Sequence, residues 1–259
     1  MGSFKICIAG YVFKLNIDDD FLFTLISNKY SHFASRKPQN VTMNFHFHRG
    51  KKIYKIRKSD FNRKIINFKM IMKDEEFFTV IHDNFYLFDN ILASIIYYWL
   101  LRKNILVLHA SGVIKNKKAY IFSGKPGAGK TTIAKFSKGT IMNDNEIIIR
   151  RINSQFIAFS SPLQRRDLAT KNEYAPISAI FFLKRRNFKR IKKLKPDETF
   201  KRLVMNHYVP EISYKNKEDI RTLFTICHKI AQNVASYELS FQLTDNIWRE
   251  INEITKKNS

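Results

Sequence analysis

Four residues at fixed spacing carry the clearest chemical signal in the 259-residue chain: Gly124, Gly129, Lys130 and Thr131, in the pattern G-x-x-x-x-G-K-T. Glycines let a backbone pass through positive φ and bring its N–H groups against anionic oxygens. A helix that starts at the end of such a loop aims unpaired N–H groups and its positive dipole end at the same anion. In that arrangement Lys130 reaches the β- and γ-phosphates and the Thr131 hydroxyl sits on Mg²⁺. The stretch Gly124, Lys125, Pro126, Gly127, Ala128, Gly129, Lys130, Thr131 and Thr132 therefore reads as a Walker A phosphate loop for a nucleotide.

Phosphoryl transfer asks little else of a protein: a metal, a group that orients or deprotonates the acceptor, and positive charge. Asp144 ends an apolar strand beyond the loop helix, where a carboxylate can address the metal or the acceptor. Read alone it is a turn residue, and the phosphate loop is what turns it into a functional candidate. His109, between Leu108 and Ala110, falls on a strand expected to run antiparallel beside the loop strand; read alone it is a hydrogen-bonded core histidine. His46 and His48 share the polar face of a strand without an acidic or cysteine companion, which reads as solvated histidines. Cys7 and Cys227 lack C-x-x-C partners, so neither a zinc site nor a disulfide scaffold is expected. Adjacent helix residues point about 100° apart, so Cys227-His228 reads as a core cysteine beside a surface histidine.

The elements that must position these groups follow from periodicity. Ala119–Phe122 is the strand feeding the loop, and Thr132–Phe136 continues a helix out of it. Leu106–Ile114 is a strand returning through Lys115–Lys118. Thr140–Met142, Glu146–Arg151, Gln155–Ser160, Ile177–Leu183 and Tyr237–Leu243 are further strands. Pro196 with Asp197 and Glu198 opens a helix to about His207, Glu218–Ala235 is a long helix, and Thr244-Asp245 caps a final one. Before these lies a strand-rich region. It comprises a strand-like run over Lys5–Asn16, a helix Phe21–Lys29 capped by Asp18–Asp20, and an alternating strand Val41–His48. Arg49–Lys51 is a turn into Lys52–Lys58, and Ile65–Met72 and Glu76–His82 are strands. A buried helix Ile91–Leu101, capped by Asp89-Asn90, closes the region. The expected division is a strand-rich N-terminal region, 1–104, packed on a catalytic domain, 105–259.

Apolar residues make up 44% and aromatics 14% of the chain, which speaks for a folded protein rather than a disordered one. No stretch is read as a membrane span or a secretory signal, and the expectation is a cytoplasmic protein without a membrane partner. The formal charge of +24 would draw acidic partners, although abundant Lys, Asn, Ile and Phe also fit a compositional bias. The densest basic run, Lys184–Lys195, reads equally as a solvated connector or as a dock for an acidic segment or RNA, with Phe188 available for stacking.

Leu108–Val113, the loop stretch Tyr120–Thr132 and Met142-Asn143-Asp144 together resemble the C-terminal kinase domain of HPr kinase/phosphorylase. They look closest to the smaller HPr-kinase-related proteins of bacterial gene clusters, some of which phosphorylate a serine in a ribosomal peptide precursor. Ser160-Ser161-Pro162 and Ala175–Leu183 extend the resemblance, which covers about 107–203. It implies an α/β fold with a phosphoenolpyruvate-carboxykinase-type P-loop core. It also implies His109 near the γ-phosphate and Asp144 as the acid/base that activates the acceptor hydroxyl. Two departures stand out. Asn145 follows Asp144 where relatives often carry a second Asp, with Glu146 next, which bears on second-metal coordination. Leu163-Gln164-Arg165-Arg166 replaces an aromatic residue and Gly after Ser-Pro. The resulting expectation is an ATP- and Mg²⁺-dependent kinase for a Ser/Thr hydroxyl of a peptide or small protein. Its catalytic residues are Asp144, His109 and Lys130, and its metal-holding residues Thr131 and Asp144. A nucleic-acid-directed P-loop enzyme such as an RNA kinase, or a non-catalytic nucleotide-binding regulator, are the alternatives. Oligomeric state and nucleotide preference are left open.

Overall fold

The computed structural model describes residues 2–48, 71–73, 76–82, 85–163, 171–208, 216–242 and 247–256. The chain divides into two compact units, Met1–Leu92 and Ala93–Ser259. The division falls inside helix α2 (Phe85–Arg102), whereas the sequence reading set it just past that helix. The expected turn at Arg49–Lys51, its partner strand Lys52–Lys58, most of Ile65–Met72 and the cap at Thr244-Asp245 lie outside the described residues.

In the first unit, strands β1 (Gly2–Ile8), β2 (Tyr11–Ile17), β3 (Val41–His48), β4 (Ile71–Lys73) and β5 (Glu76–His82) form a sheet in the order β1-β2-β3-β5-β4. The strand-like run Lys5–Asn16 is in fact a hairpin, because Ala9 and Gly10 take positive φ (50° and 81°) and turn the chain. Helix α1 (Asp20–Lys29) starts where the aspartates indicate, with Asp19 accepting from the Leu22 N–H at 2.9 Å. Such a cap stabilises a helix by about 1 kcal/mol. Val41, Met43 and Phe45 alternate into the core as a strand period requires. Helix α2 begins earlier than its apolar run suggested, so Asp89 and Asn90 lie within it rather than capping it. The Asp89 carboxylate instead pairs with Lys29 and accepts from the Tyr30 hydroxyl, and neighbouring Phe88 packs edge-on against Phe45.

The second unit is mixed α/β. Its strands are β6 (Leu106–Lys115), β7 (Lys118–Ser123), β8 (Thr140–Asn143), β9 (Glu146–Ile152), β10 (Gln155–Ser160), β11 (Tyr174–Arg185), β12 (Arg190–Lys193) and β13 (Ser236–Phe241). The order is β10-β9-β6-β7-β11-β13-β12, with β8 paired to β6 and β10 also paired to the start of β11. β11 runs parallel to β7 and β13, and the other described pairings are antiparallel. The helices are α3 (Lys130–Phe136), α4 (Pro196–Met205), α5 (Lys217–Asn233) and α6 (Trp248–Lys256).

Alternation along β7 and β11 divides their apolar residues between two cores. Ile121, Ile180 and Phe182 face Leu203 of α4 and Leu223, Ile226 and Ile230 of α5. Tyr120, Phe122, Phe181 and Leu183 face Ile133 and Ala134 of α3 and Trp248 and Ile251 of α6. Each fully buried Leu, Ile or Phe contributes about 1.5–3 kcal/mol, so two such layers anchor the central strands. The Trp248 indole N–H also donates to the Ile133 carbonyl at 2.8 Å, tying α6 to the helix that follows the glycine-rich loop.

Candidate functional site

Strand β6 is the axis of the site. On one side Ala110 pairs with Ser123, the last residue of β7 before the glycine-rich loop. On the other side its N–H donates to the Asn145 carbonyl at 3.1 Å. The loop and the β8–β9 bend that carries Asp144 thus leave the same end of the sheet, two strand spacings or about 10 Å apart.

Two loop residues need to be glycine. Gly127 and Gly129 take φ of 77° and 96°, a region that costs an L side chain energy, and Gly129 is the residue from which α3 starts. Lys130, the first residue of α3, is buried and folds back over the loop. Its ammonium donates to the Gly124 carbonyl at 2.8 Å and the Lys125 carbonyl at 3.3 Å. Burial holds its pKa below the usual lysine value. The Ser111 hydroxyl of β6 donates to the Lys130 carbonyl at 3.0 Å, fixing the start of α3 against the strand. Lys125, Pro126 and Gly127 are exposed, Ala128 is buried, and Thr131 and Thr132 are half-buried in the first turn of α3.

The bend is shaped by Asn143, which the sequence reading passed over. Its side-chain carbonyl accepts from the N–H of Asn145 (2.7 Å) and Glu146 (3.0 Å), and its amide donates to the Ser161 carbonyl at 2.8 Å. An Asn that closes a turn on its own following N–H groups is a readable signal, and Asn-Asp-Asn carried it. Asp144 at the tip is half-buried and makes no hydrogen bond or ion pair among the described residues.

His109 stands between loop and bend. The Ser123 hydroxyl donates to its carbonyl at 2.9 Å. Its Nδ1 lies 2.7 Å from the Tyr208 hydroxyl. Burial lowers the imidazole pKa and the nearby Lys130 charge lowers it further, while the Asn145 carbonyl works the other way. Tyr208 carries no signal in the sequence. Burial raises its phenol to about 12. Glu146, opposite His109 in the β6–β9 register, is fully buried beneath Tyr97, whose hydroxyl donates to Oε2. Its Oε1 has no hydrogen-bond partner among the described residues. Burial drives the carboxyl well above the usual carboxylate range, with the Ser161 side chain working the other way. Burial thus disfavours a charge on this residue, which lies in the core and not exposed beside Asp144.

Thr131 and Asp144 share no hydrogen bond, and no group of three His, Cys, Asp or Glu able to hold a metal occurs among the described residues. Cys227 is buried with its thiol raised to about 12, and His228 beside it is exposed. The basic run crosses from the end of β11 to β12, the edge strand beyond β13. Three of its lysines are paired: Lys184 with Glu238 (3.1 Å), Lys189 with Glu250 (3.6 Å) and Lys192 with Glu198 (3.2 Å). Charge on an edge strand also blocks further strand pairing. A cavity of about 400 Å³ opens by Lys118, Ile177 and Ala235, at the start of β7, β11 and β13 and so at the opposite end from the glycine-rich loop. Among the described residues no helix is long and apolar enough to cross a membrane.

Fold and site define a mixed α/β protein with a G-x-x-x-x-G-K-T loop, a histidine and an uncommitted carboxylate at one end of its larger sheet. The family described as SynChlorMet cassette protein ScmC matches residues 82–256, and the chain belongs to that family. No curated protein matches the chain. Among solved structures, the HPr(Ser) kinase/phosphatase from Coxiella burnetii is similar over 59% of this chain and 99% of that one, at 10% identity and a TM-score of 0.33.

Proposed function

We propose that the chain is an ATP- and Mg²⁺-dependent kinase, built on a phosphoenolpyruvate-carboxykinase-type P-loop core, that phosphorylates a serine or threonine hydroxyl of a peptide or small protein. One observation carries this reading: Lys130, His109 and Asp144 are gathered around one point of β6, at the end where the loop opens. The resemblance of these residue motifs to those of HPr kinase supports the roles. The groups present suit a triphosphate. Two glycines at positive φ, a desolvated lysine resting on loop carbonyls and a Thr131 hydroxyl without a hydrogen bond among the described residues all gain from an anion and its cation. Thr131 and Asp144 would hold Mg²⁺, which supplies charge neutralisation on the phosphates. Lys130 exchanges its two carbonyls for phosphate oxygens. Asp144 takes the proton of the acceptor hydroxyl as that oxygen attacks the γ-phosphorus. The bond from phosphorus to the β–γ bridging oxygen breaks, and ADP leaves. His109 donates to a phosphoryl oxygen.

A nucleotide-binding regulator without transfer is the second reading, favoured by Asn145 and by the burial of Glu146, which leave Asp144 alone at the bend. Incubation with γ-labelled ATP and candidate peptides separates the two. The kinase reading expects transfer in the wild type. It also expects Asp144→Asn to bind Mg-ATP but transfer at least about 100-fold more slowly, the scale of a general base. Unchanged turnover in Asp144→Asn would remove Asp144 from the reaction. ATP binding without transfer to any acceptor would favour the regulator.

A further inference from the structure

Strand β6 loses its β7 partner beyond Ala110, because the chain leaves β7 for the loop after Ser123. The gap is filled from the end of α4. The His109 N–H donates to the Asn206 carbonyl at 2.7 Å, the Tyr208 N–H donates to the Val107 carbonyl at 2.8 Å, and Leu108 bridges His207. This main-chain splice sets the Tyr208 ring edge-to-face on the His109 ring, with centroids 5.3 Å apart. On its other side Tyr208 stacks on Tyr97 at 6.1 Å, and Tyr97 is itself anchored on Glu146. The Asn145 side chain also meets the Tyr208 hydroxyl, and burial raises that phenol to about 12, so it keeps a proton that can go to the ring nitrogen 2.7 Å away.

We propose that Tyr208 is a positioning residue for His109: its hydroxyl donates to Nδ1 and holds the neutral imidazole with its proton on Nε2. A ring so fixed donates from a known nitrogen, whereas a free imidazole divides between two tautomers. The Asn145 carbonyl also lies at the ring, and Lys130 and Glu146 are the ionisable groups that face this cluster. The effect on rate rests on the kinase reading, but the tautomer does not.

The test is long-range proton–nitrogen NMR on protein carrying ¹⁵N-labelled histidine, with His109→Ala identifying the signal. Above its titration, wild-type His109 should show an unprotonated Nδ1 and a protonated Nε2. Tyr208→Phe keeps the stacking and should give a mixed pattern, while Tyr97→Phe should leave it alone. In turnover, Tyr208→Phe should lower kcat roughly 10-fold, the scale for losing the outer partner of a functional histidine, with KM for ATP unchanged. A proton on Nδ1 in the wild type, or an unchanged pattern in Tyr208→Phe, overturns the proposal. The expected spectra without phosphotransfer in the wild type would uphold the positioning and sink the kinase reading alone.

Discussion

Lys130→Ala is the sharpest perturbation, because in this structure the lysine does more than await a phosphate. Its ammonium is buried and bridges the Gly124 and Lys125 carbonyls at 2.8 and 3.3 Å. Truncation removes both hydrogen bonds. Lys125 is exposed, so water replaces its partner, whereas the buried Gly124 is left with an unsatisfied acceptor. An orphaned buried acceptor costs about 1–3 kcal/mol. Against that, burial already disfavours the lysine's charge, so removing it relieves part of the cost. The net expectation is a loss of about 1–2 kcal/mol, which for a chain of this size lowers Tm by roughly 2–8 °C. Ligand binding is lost separately. The wild type at an ATP concentration of 100 times Kd should gain about 2.7 kcal/mol, and the variant almost none. Thermal unfolding with and without Mg-ATP, beside calorimetric titration, reads both effects. Lys130→Met, which keeps the apolar stem, should recover part of the stability and none of the affinity. Wild-type ATP affinity in Lys130→Ala would refute the phosphate-loop assignment, and loss of a cooperative transition would refute the stability estimate.

Glu146→Gln should change how stability depends on pH. The folded chain retains the Glu146 proton well above the 4.5 at which the unfolded chain releases it, so this group's stabilisation is full below 4.5 and is lost as pH rises toward the folded value. The amide removes that loss, so Tm of the variant should gain on the wild type more at pH 8 than at pH 5; parallel curves would contradict a neutral buried acid. His109 and His207, both lowered by burial, act in the opposite sense: their contribution is present above 6.5 and lost as pH falls through their folded values. Reversing Lys189, Arg190, Lys192 and Lys193 to Glu breaks two solvent-screened surface pairs. ATP affinity should hold while KM for an acidic peptide acceptor rises. A salt-steep RNA isotherm that vanishes in this variant would transfer the run to nucleic acid.

Features governed by neighbouring residues could be read directly from the chain. Gly127 and Gly129 were legible because only glycine takes their φ without strain, and Asp19 because an N-cap acts within one helical turn. β5 and β10 occupy the residues that their alternation marks, Glu76–His82 and Gln155–Ser160. Other features depend on groups brought together across long stretches of chain. Asp89 looked like a cap until Lys29 and Tyr30 claimed its carboxylate, and the helix then ran back through Phe85–Phe88. The basic run reads along the chain as a solvated connector or a dock, yet Glu238, Glu250 and Glu198 reach it from β13, α6 and α4. Glu146 sits in a strand whose period says only that one face is apolar; tertiary burial is what raises its carboxyl above the usual range. Tyr208 meets His109 across 99 residues, where no period or spacing connects them. Backbone conformation and short-range capping are local free energies that each residue carries with it. Which carboxylate is desolvated, and which hydroxyl meets which imidazole, is decided only when strand pairing around β6 places distant side chains in contact and excludes water between them.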